Sequence, residues 1–366
     1  MQIVDFDGSN LPETMRAAVY KGNGVISVEE VPVPSIGPGE LLVRVEACGI
    51  CHTDLKKVEH DLLAPPRIFG HETAGIVVAA GEGVERFAPG DRVIVFHHVP
   101  CMECFYCHRK LYAQCAGYKK VGVTAGYEPA GGGFSQYVRV MDWIVRRGVE
   151  KIPDGVPFDR ASFVEPVNTC HKAVEMLGSE AGETVAILGQ GPIGLLFTML
   201  VKRTGATVVT TDAIERRRQL SLRFGAQSSW DPREVELKHE LAAITEGRGA
   251  DVVIVAASVP GIAEQAVKCS RPGAQILLFA QTSPQERIEL SGADICVGER
   301  AILGCYSASI DIQSESARLV FSGELPVEDL ISHRLPLEDI NSGIRLALHP
   351  GERSLKIIVQ PQRRSV

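Results

Sequence analysis

The hydrophobic rhythm of the chain changes once, near Pro166. Before that point short Val-rich runs (Leu41–Val45, Ala74–Val78 and Asp91–Val95) are separated by turn signals at 34–39, 81–83 and Pro89-Gly90. Many short strands at close spacing predict a compact, barrel-like β domain. Beyond Pro166 strands alternate with helices. A buried strand over Thr184–Leu188 leads through a glycine turn into an apolar helix over Leu195–Lys202. Strands at Thr207–Thr211, Asp251–Ala256 and Gln275–Phe279 follow, with helices around Ile214–Phe224 and Ile262–Cys269 between them. That alternation predicts a doubly wound parallel sheet. After about Ser309 the chain returns to the first domain and ends on the strand-like Leu355–Val359. The expected fold class is therefore α/β: a β-rich domain over 1–165, completed by 310–366, around a parallel-sheet domain over 166–309.

Composition narrows the choice of function. A length of 366 residues suits two domains, and 45% hydrophobic with 23% charged residues is ordinary for a globular protein. A net charge of −7 and a pI near 5.9, with no basic stripe, argue against a nucleic-acid partner. Three acids precede Arg16 and no apolar core accompanies them, which is unlike a signal peptide. No run approaches the roughly 18 apolar residues that a bilayer span needs. Four of ten cysteines cluster at metal spacing and the rest are scattered, so reduced thiols in a cytoplasmic protein are expected.

The cluster is Cys101, Cys104, Cys107 and Cys115, in a lobe over about 97–118. Four thiolates this close in sequence can close around one tetrahedral Zn²⁺ with no water left over. Buried thiols or redox pairs are the competing reading. A second set, Cys51 with His71 and Glu72, offers the mixed S, N and O donors of a catalytic zinc that keeps one position open. Glycines at 49, 70 and 75 would let the backbone approach the ion. Glu165, a carboxylate in the apolar stretch Phe163–Pro166, is the best further ligand; Cys170 and His171 are rivals that read more simply as a core cysteine and a surface histidine.

The turn Gly189-Gln190-Gly191-Pro192-Ile193-Gly194 follows an apolar strand and opens an apolar helix. In that context its glycines permit the tight turn, backbone approach to a pyrophosphate, and close helix–strand packing. Asp212 ends the next strand and can accept adenine-ribose hydroxyls while repelling a 2′-phosphate, which favours NAD over NADP. Arg217, with Arg216, is either a solvated helix face or a phosphate partner. Asp212 could alternatively serve only as a cap at the strand end.

With these motifs in place, the sequence resembles the zinc-dependent medium-chain dehydrogenases, and most closely the sorbitol/L-iditol dehydrogenase branch. The carriers are Ala47–Asp54, Gly70-His71-Glu72, Pro89–Val93, Val164-Glu165-Pro166, Asp251–Val253 and Ser332–Leu337, and the similarity spans nearly the whole chain. The resemblance implies a GroES-like catalytic domain split around a Rossmann domain, with the active site in the cleft between them. It implies two zinc ions per chain and a homodimer or homotetramer. It places Cys51, His71, Glu72 and Glu165 around the catalytic zinc, leaving open which glutamate binds through water. Glu165 stands where relatives acting on simple alcohols carry cysteine, which points to a polyol, cyclitol or sugar derivative. Thr53 would start a proton relay, whose usual terminal histidine is replaced by Lys56. His97 and His98 are either a packed pair or substrate-lining. The reaction so implied is reversible oxidation of a secondary alcohol, with zinc as Lewis acid and nicotinamide as hydride acceptor. An L-threonine 3-dehydrogenase-like enzyme, or an inactive zinc-stabilised nucleotide sensor, are the alternatives.

Overall fold

The computed structural model describes residues 11–280 and 287–364. The chain divides into two compact units, Met1–Asn168 with Ser309–Val366, and Thr169–Ala308. Among the described residues no helix is long and apolar enough to cross a membrane.

The first unit opens with an antiparallel hairpin, Thr14–Gly22 against Val25–Pro32. Asn23 (φ 52°) and Gly24 (φ 73°) both take the left-handed conformation at its tip, the residues a tight hairpin turn selects. Its larger sheet runs Ile331–Pro336, Lys356–Gln360, Leu41–Gly49, Glu72–Ala80, Arg92–Val95, Val149–Lys151. Leu41–Gly49 is its central strand. It pairs with Glu72–Ala80 along its length, with Tyr137–Val140 at its start, and with Lys356–Gln360 at Cys48 and Gly49. The register sets Gly49 opposite Glu72, and Thr73 opposite Val95, so the chain just before Glu72 lies beside the chain just after Val95. One end of the sheet thus gathers Gly49, His71, Glu72 and His97. Tyr20, Phe69, Phe134 and the strand valines fill the core.

Between Arg92–Val95 and Val123–Thr124 the chain forms the cysteine lobe, whose only regular elements are the short 3₁₀ turns Cys107–Arg109 and Tyr112–Gln114. Its private core is five residues, Cys107, Tyr112, Ala113, Cys115 and Tyr118. So small a core needs a staple.

The second unit is a six-stranded parallel sheet in the order Ser228–Trp230, Thr207–Thr211, Thr184–Leu188, Ala250–Val255, Ser270–Leu278, Ala301–Gly304. The first of these strands in the chain, Thr184–Leu188, has Thr207–Thr211 on one side and Ala250–Val255 on the other, so strand order reverses beside it. Ligands of such sheets bind at that reversal, outside the strand carboxyl ends. Thr184–Leu188 is buried throughout, as a strand covered by helices on both faces must be. The helix Pro192–Lys202 begins with proline at its first position, where no N–H is needed, and buries Gly194 to Val201.

Candidate metal centres and cofactor cleft

In the lobe the four sulfurs of Cys101, Cys104, Cys107 and Cys115 lie within 4.8 Å of one another. Cys115–Cys101, Cys104–Cys107 and Cys101–Cys107 are separated by 3.5, 3.6 and 3.9 Å. Sulfurs about 2.3 Å from one tetrahedral zinc stand roughly 3.8 Å apart, so the donors fit that ion. They are too far apart for a disulfide, and all ten cysteines are unbridged. Burial opposes ionisation of Cys115, but backbone N–H groups of Cys101 and Tyr118 and the neighbouring thiols pull it down to about 6. Burial and the Cys104 thiol push Cys107 up to about 12. A cation is needed to ionise the whole set.

The second group joins two segments. Cys51 caps the helix His52–Glu59, while Glu72 opens the strand Glu72–Ala80 and His71 immediately precedes it. Their donor atoms also lie within 4.8 Å of one another. Gly70 before them has φ +96°, and a Cβ there would meet Phe134 at 2.8 Å and the Cys48 sulfur at 2.9 Å. Only glycine makes that turn. His71 Nδ1–H donates to Asp54 Oδ1 at 3.1 Å, which leaves Nε2 as the nitrogen that could face a metal ion. Burial lowers the His71 pKa, yet Asp54 and Cys51 raise it further, and the net result is well above the ordinary value. Asp54 and Cys51 thus favour the charged form of this ring.

Two further residues complete this site that the sequence alone did not point to. Lys356, buried, donates to Glu72 Oε1 at 2.5 Å and to the Ile50 carbonyl at 3.2 Å, and its ammonium also touches Glu72 Oε2. A Cβ at Gly49 would fall 1.8 Å from Glu72 Oε2 and 2.7 Å from Lys356 Cε, so glycine there makes room for the ion pair. Asp54 is the other; its place three residues after Cys51 in Cys51-His52-Thr53-Asp54 was the available signal.

Glu165, in the first turn of Val164–Leu177, lies outside the three-donor group but is electrostatically tied to it. Burial first, then Glu72 and Asp54, raise its carboxyl to about 7, against the opposing pull of His71 and Lys356. A carboxyl held above its usual 4.5 costs the fold nothing below that pH. Its penalty grows as pH rises towards 7 and is full above it. In metal-stripped protein, Glu165→Gln should therefore gain stability over wild type between about pH 4.5 and 7, levelling at roughly 1–3 kcal/mol, as read by denaturant unfolding at several pH values. Equal stability at pH 5 and pH 8 would show that Glu165 is not held protonated.

Thr53 is half-buried on the helix that Cys51 caps, and Lys56 lies half-buried one turn further on. His97 is buried and His98 nearly so. Burial pushes both imidazoles down, His98 to about 4, so the two are neutral at physiological pH. The two rings pack against each other, and His97 also lies tilted against His71. Cys170 is a core cysteine, and His171 faces Glu175 at 3.5 Å; neither belongs to a donor group among the described residues.

In the second unit, Gly189 has φ +95° and Gly194 packs so closely that a Cβ would lie 1.9 Å from the Gly189 carbonyl oxygen. At Gly191 an added Cβ would meet only the Arg217 guanidinium, at 3.9 Å, so this turn leaves its middle open to a ligand. Gly189, Asp212, Ile214, Arg217 and Arg233 line a cleft of about 1400 Å³. Asp212 Oδ2 accepts the Gln190 N–H at 2.7 Å and Oδ1 the Ile214 N–H at 2.8 Å. Asp212 is thus a cap as well as a candidate ribose acceptor. The two arginines part company here. Arg216 is exposed, whereas Arg217 is half-buried with Nη1 3.8 Å from Asp212 Oδ2, which corrects the solvated-face reading for Arg217 alone. Arg233 and Arg218, both held by Asp231, were not anticipated.

A sheet carrying paired donor sets and a parallel sheet with an open glycine turn define a metal-binding, dinucleotide-binding dehydrogenase. Comparison with known proteins agrees. The alcohol dehydrogenase GroES-like domain model matches residues 37–154 and the zinc-binding dehydrogenase model matches residues 192–322. Sorbitol dehydrogenase of Bacillus subtilis is 30% identical, over 96% of this chain and 99% of its own. L-threonine 3-dehydrogenase of Pyrococcus furiosus is 33% identical, over 83% and 86%. A zinc-binding dehydrogenase from Sinorhizobium meliloti, solved with NADP, superposes with a TM-score of 0.85 at 31% identity, covering 96% of this chain and all of that one. The chain belongs to the zinc-dependent medium-chain alcohol dehydrogenase family. It is an NAD(P)-dependent oxidoreductase with a GroES-like and a Rossmann-type domain.

Proposed function

We propose that this enzyme catalyses the reversible, NAD-linked oxidation of a secondary alcohol in a polyol, cyclitol or sugar derivative. The observation that carries the reading is the buried carboxyl of Glu165, tied electrostatically to His71 and Glu72 of the Cys51–His71–Glu72 group, in place of a second thiol. The sorbitol dehydrogenase similarity supports it. Cys51 and His71 would hold the catalytic zinc with Glu72, and Glu165 would act directly or through a water. The cysteine lobe would hold the second ion. Zinc in the first of these sites supplies Lewis acidity towards the substrate oxygen.

The chain's own groups do the rest. Asp54 holds the His71 ring in one tautomer. Lys356 neutralises Glu72 and keeps it from adding a full charge to the centre. Thr53 would take up the hydroxyl proton while passing its own on towards solvent, and Glu165 would accept hydrogen bonds from neighbouring hydroxyls. In the second unit Asp212 would bind the adenine ribose, favouring NAD, while Arg217 beside it softens that preference.

The discriminating experiment is NAD and NADP reduction with a panel of polyols, simple alcohols and L-threonine, repeated with Glu165→Ala. A polyol should give the highest kcat/KM, and the variant should lose roughly 10²-fold or more on it with NAD affinity unchanged. Preference for L-threonine, to which the Pyrococcus furiosus relative points, would overturn the substrate class but not the enzyme class.

A further inference from the structure

Four rings run in sequence from the catalytic ligand to the cysteine lobe. His71 packs against His97 with centroids 4.7 Å apart, His97 against His98 at 4.0 Å, and His98 stacks on Tyr118 at 5.1 Å and 27°. Tyr118 belongs to the core of the lobe, and its backbone N–H donates to the Cys115 sulfur. The two candidate metal centres are therefore joined by a continuous column of rings, all within the first unit.

Each ring lacks something that the next one supplies. Hydrogen bonds to Asp54 and Cys51 hold the edge of the His71 ring, and both lie at that edge rather than on its face. The face of His97 fixes the tilt. His97 is itself buried with Nδ1 unpartnered, so no hydrogen bond at that atom orients it, and contact with His98 does. The His98 ring makes a long 3.5 Å approach to the Lys120 carbonyl, and Tyr118 supplies the firmer surface. The Gly122 N–H, at 3.0 Å from the His97 carbonyl, ties the same backbone to the end of the lobe.

We infer that the cysteine lobe acts as a buttress for the catalytic centre, with His98 and Tyr118 as positioning residues that hold the His71 imidazole through His97. The lobe then does more than stabilise the fold: it sets the geometry of a ligand to the other metal ion. This inference rests on the assignment of Cys51 and His71 as ligands. Orientation of a ligand by its neighbours is worth a measurable fraction of metal affinity, and one ring contact is worth roughly two- to tenfold.

The test uses full-length protein and competition with a chromophoric zinc chelator, which reads the two ions as separate steps without reference to activity. His98→Ala and Tyr118→Ala should each weaken the second, catalytic-site step by roughly two- to tenfold while the lobe ion stays. The double variant should lose no more than the larger single one, because both act along one column. His98→Phe and Tyr118→Phe keep a ring and should bind zinc like wild type, which separates stacking from a folding defect. Wild-type affinity in His98→Ala, or additive losses in the double variant, would overturn the buttress. Cys51→Ser checks the underlying assignment: if it retains both ions, the ligand reading falls and the buttress with it.

Discussion

Cys51→Ser protein is expected to purify folded, with one zinc per chain instead of two, and to oxidise alcohols at least roughly 10³-fold more slowly. The size follows from the several kcal/mol that a Lewis-acidic ion contributes to charge stabilisation at the reacting oxygen. Cys51 stands half-exposed at a helix cap, so its sulfur supports no core and its loss should leave the unfolding temperature nearly unchanged. The lobe should behave in the opposite way. Its five-residue core cannot hold four thiols in place alone, and a closed site contributes its binding energy directly to folding. Cys104→Ser should therefore lower soluble yield and unfolding temperature sharply. Metal analysis and thermal unfolding of the two variants check both halves, and a Cys51→Ser protein that still carries two ions would refute the division of labour.

Asp212→Ala is expected to weaken NAD binding by roughly ten- to a hundred-fold, from loss of charge-assisted hydrogen bonds worth about 1.5–3 kcal/mol. Charge alone would let NADP gain, since the repelling carboxylate is gone and Arg217 is already beside it. The structure tempers that gain. Asp212 also accepts the N–H groups of Gln190 and Ile214, so its removal unties the glycine turn that either cofactor needs. NADP affinity should rise little or not at all, while the NAD-to-NADP ratio still collapses. Titration of both cofactors by nucleotide fluorescence decides it; a wild-type preference for NADP would show that Arg217 and Arg233 govern the cleft.

Much of this was legible in the sequence because it is written locally. The strand–turn–helix of Thr184–Lys202, the spacing of Cys101 to Cys115 and the adjacency of His71 and Glu72 each lie within a few residues. The hairpin over Thr14–Pro32 was not legible in the sequence, since its strands carry charges on the half-buried face and blur the alternation. Lys356 was not legible at all. A lysine in an apolar terminal strand looks like an exposed edge residue until the register brings it 284 positions back to Glu72. Arg217 was ambiguous for the same reason: three successive arginines look alike, and only the helix phase turns Arg217 to the Asp212 carboxylate and Arg218 to its carbonyl while leaving Arg216 in solvent.

The late position of Lys356 also imposes an order on biosynthesis. Cys51, Asp54, His71, Glu72 and Glu165 have all left the ribosome while the strand that carries their buried counter-cation is still untranslated. Until Lys356–Gln360 docks beside Cys48 and Gly49, the nascent pocket is an acid cluster without its ammonium, open at the sheet edge where that strand will sit. Metal loading before release would then meet a Glu72 with no competitor for its carboxylate, whereas loading afterwards meets one already engaged. Docking of Lys356–Gln360 is thus the step that supplies the pocket's buried counter-cation.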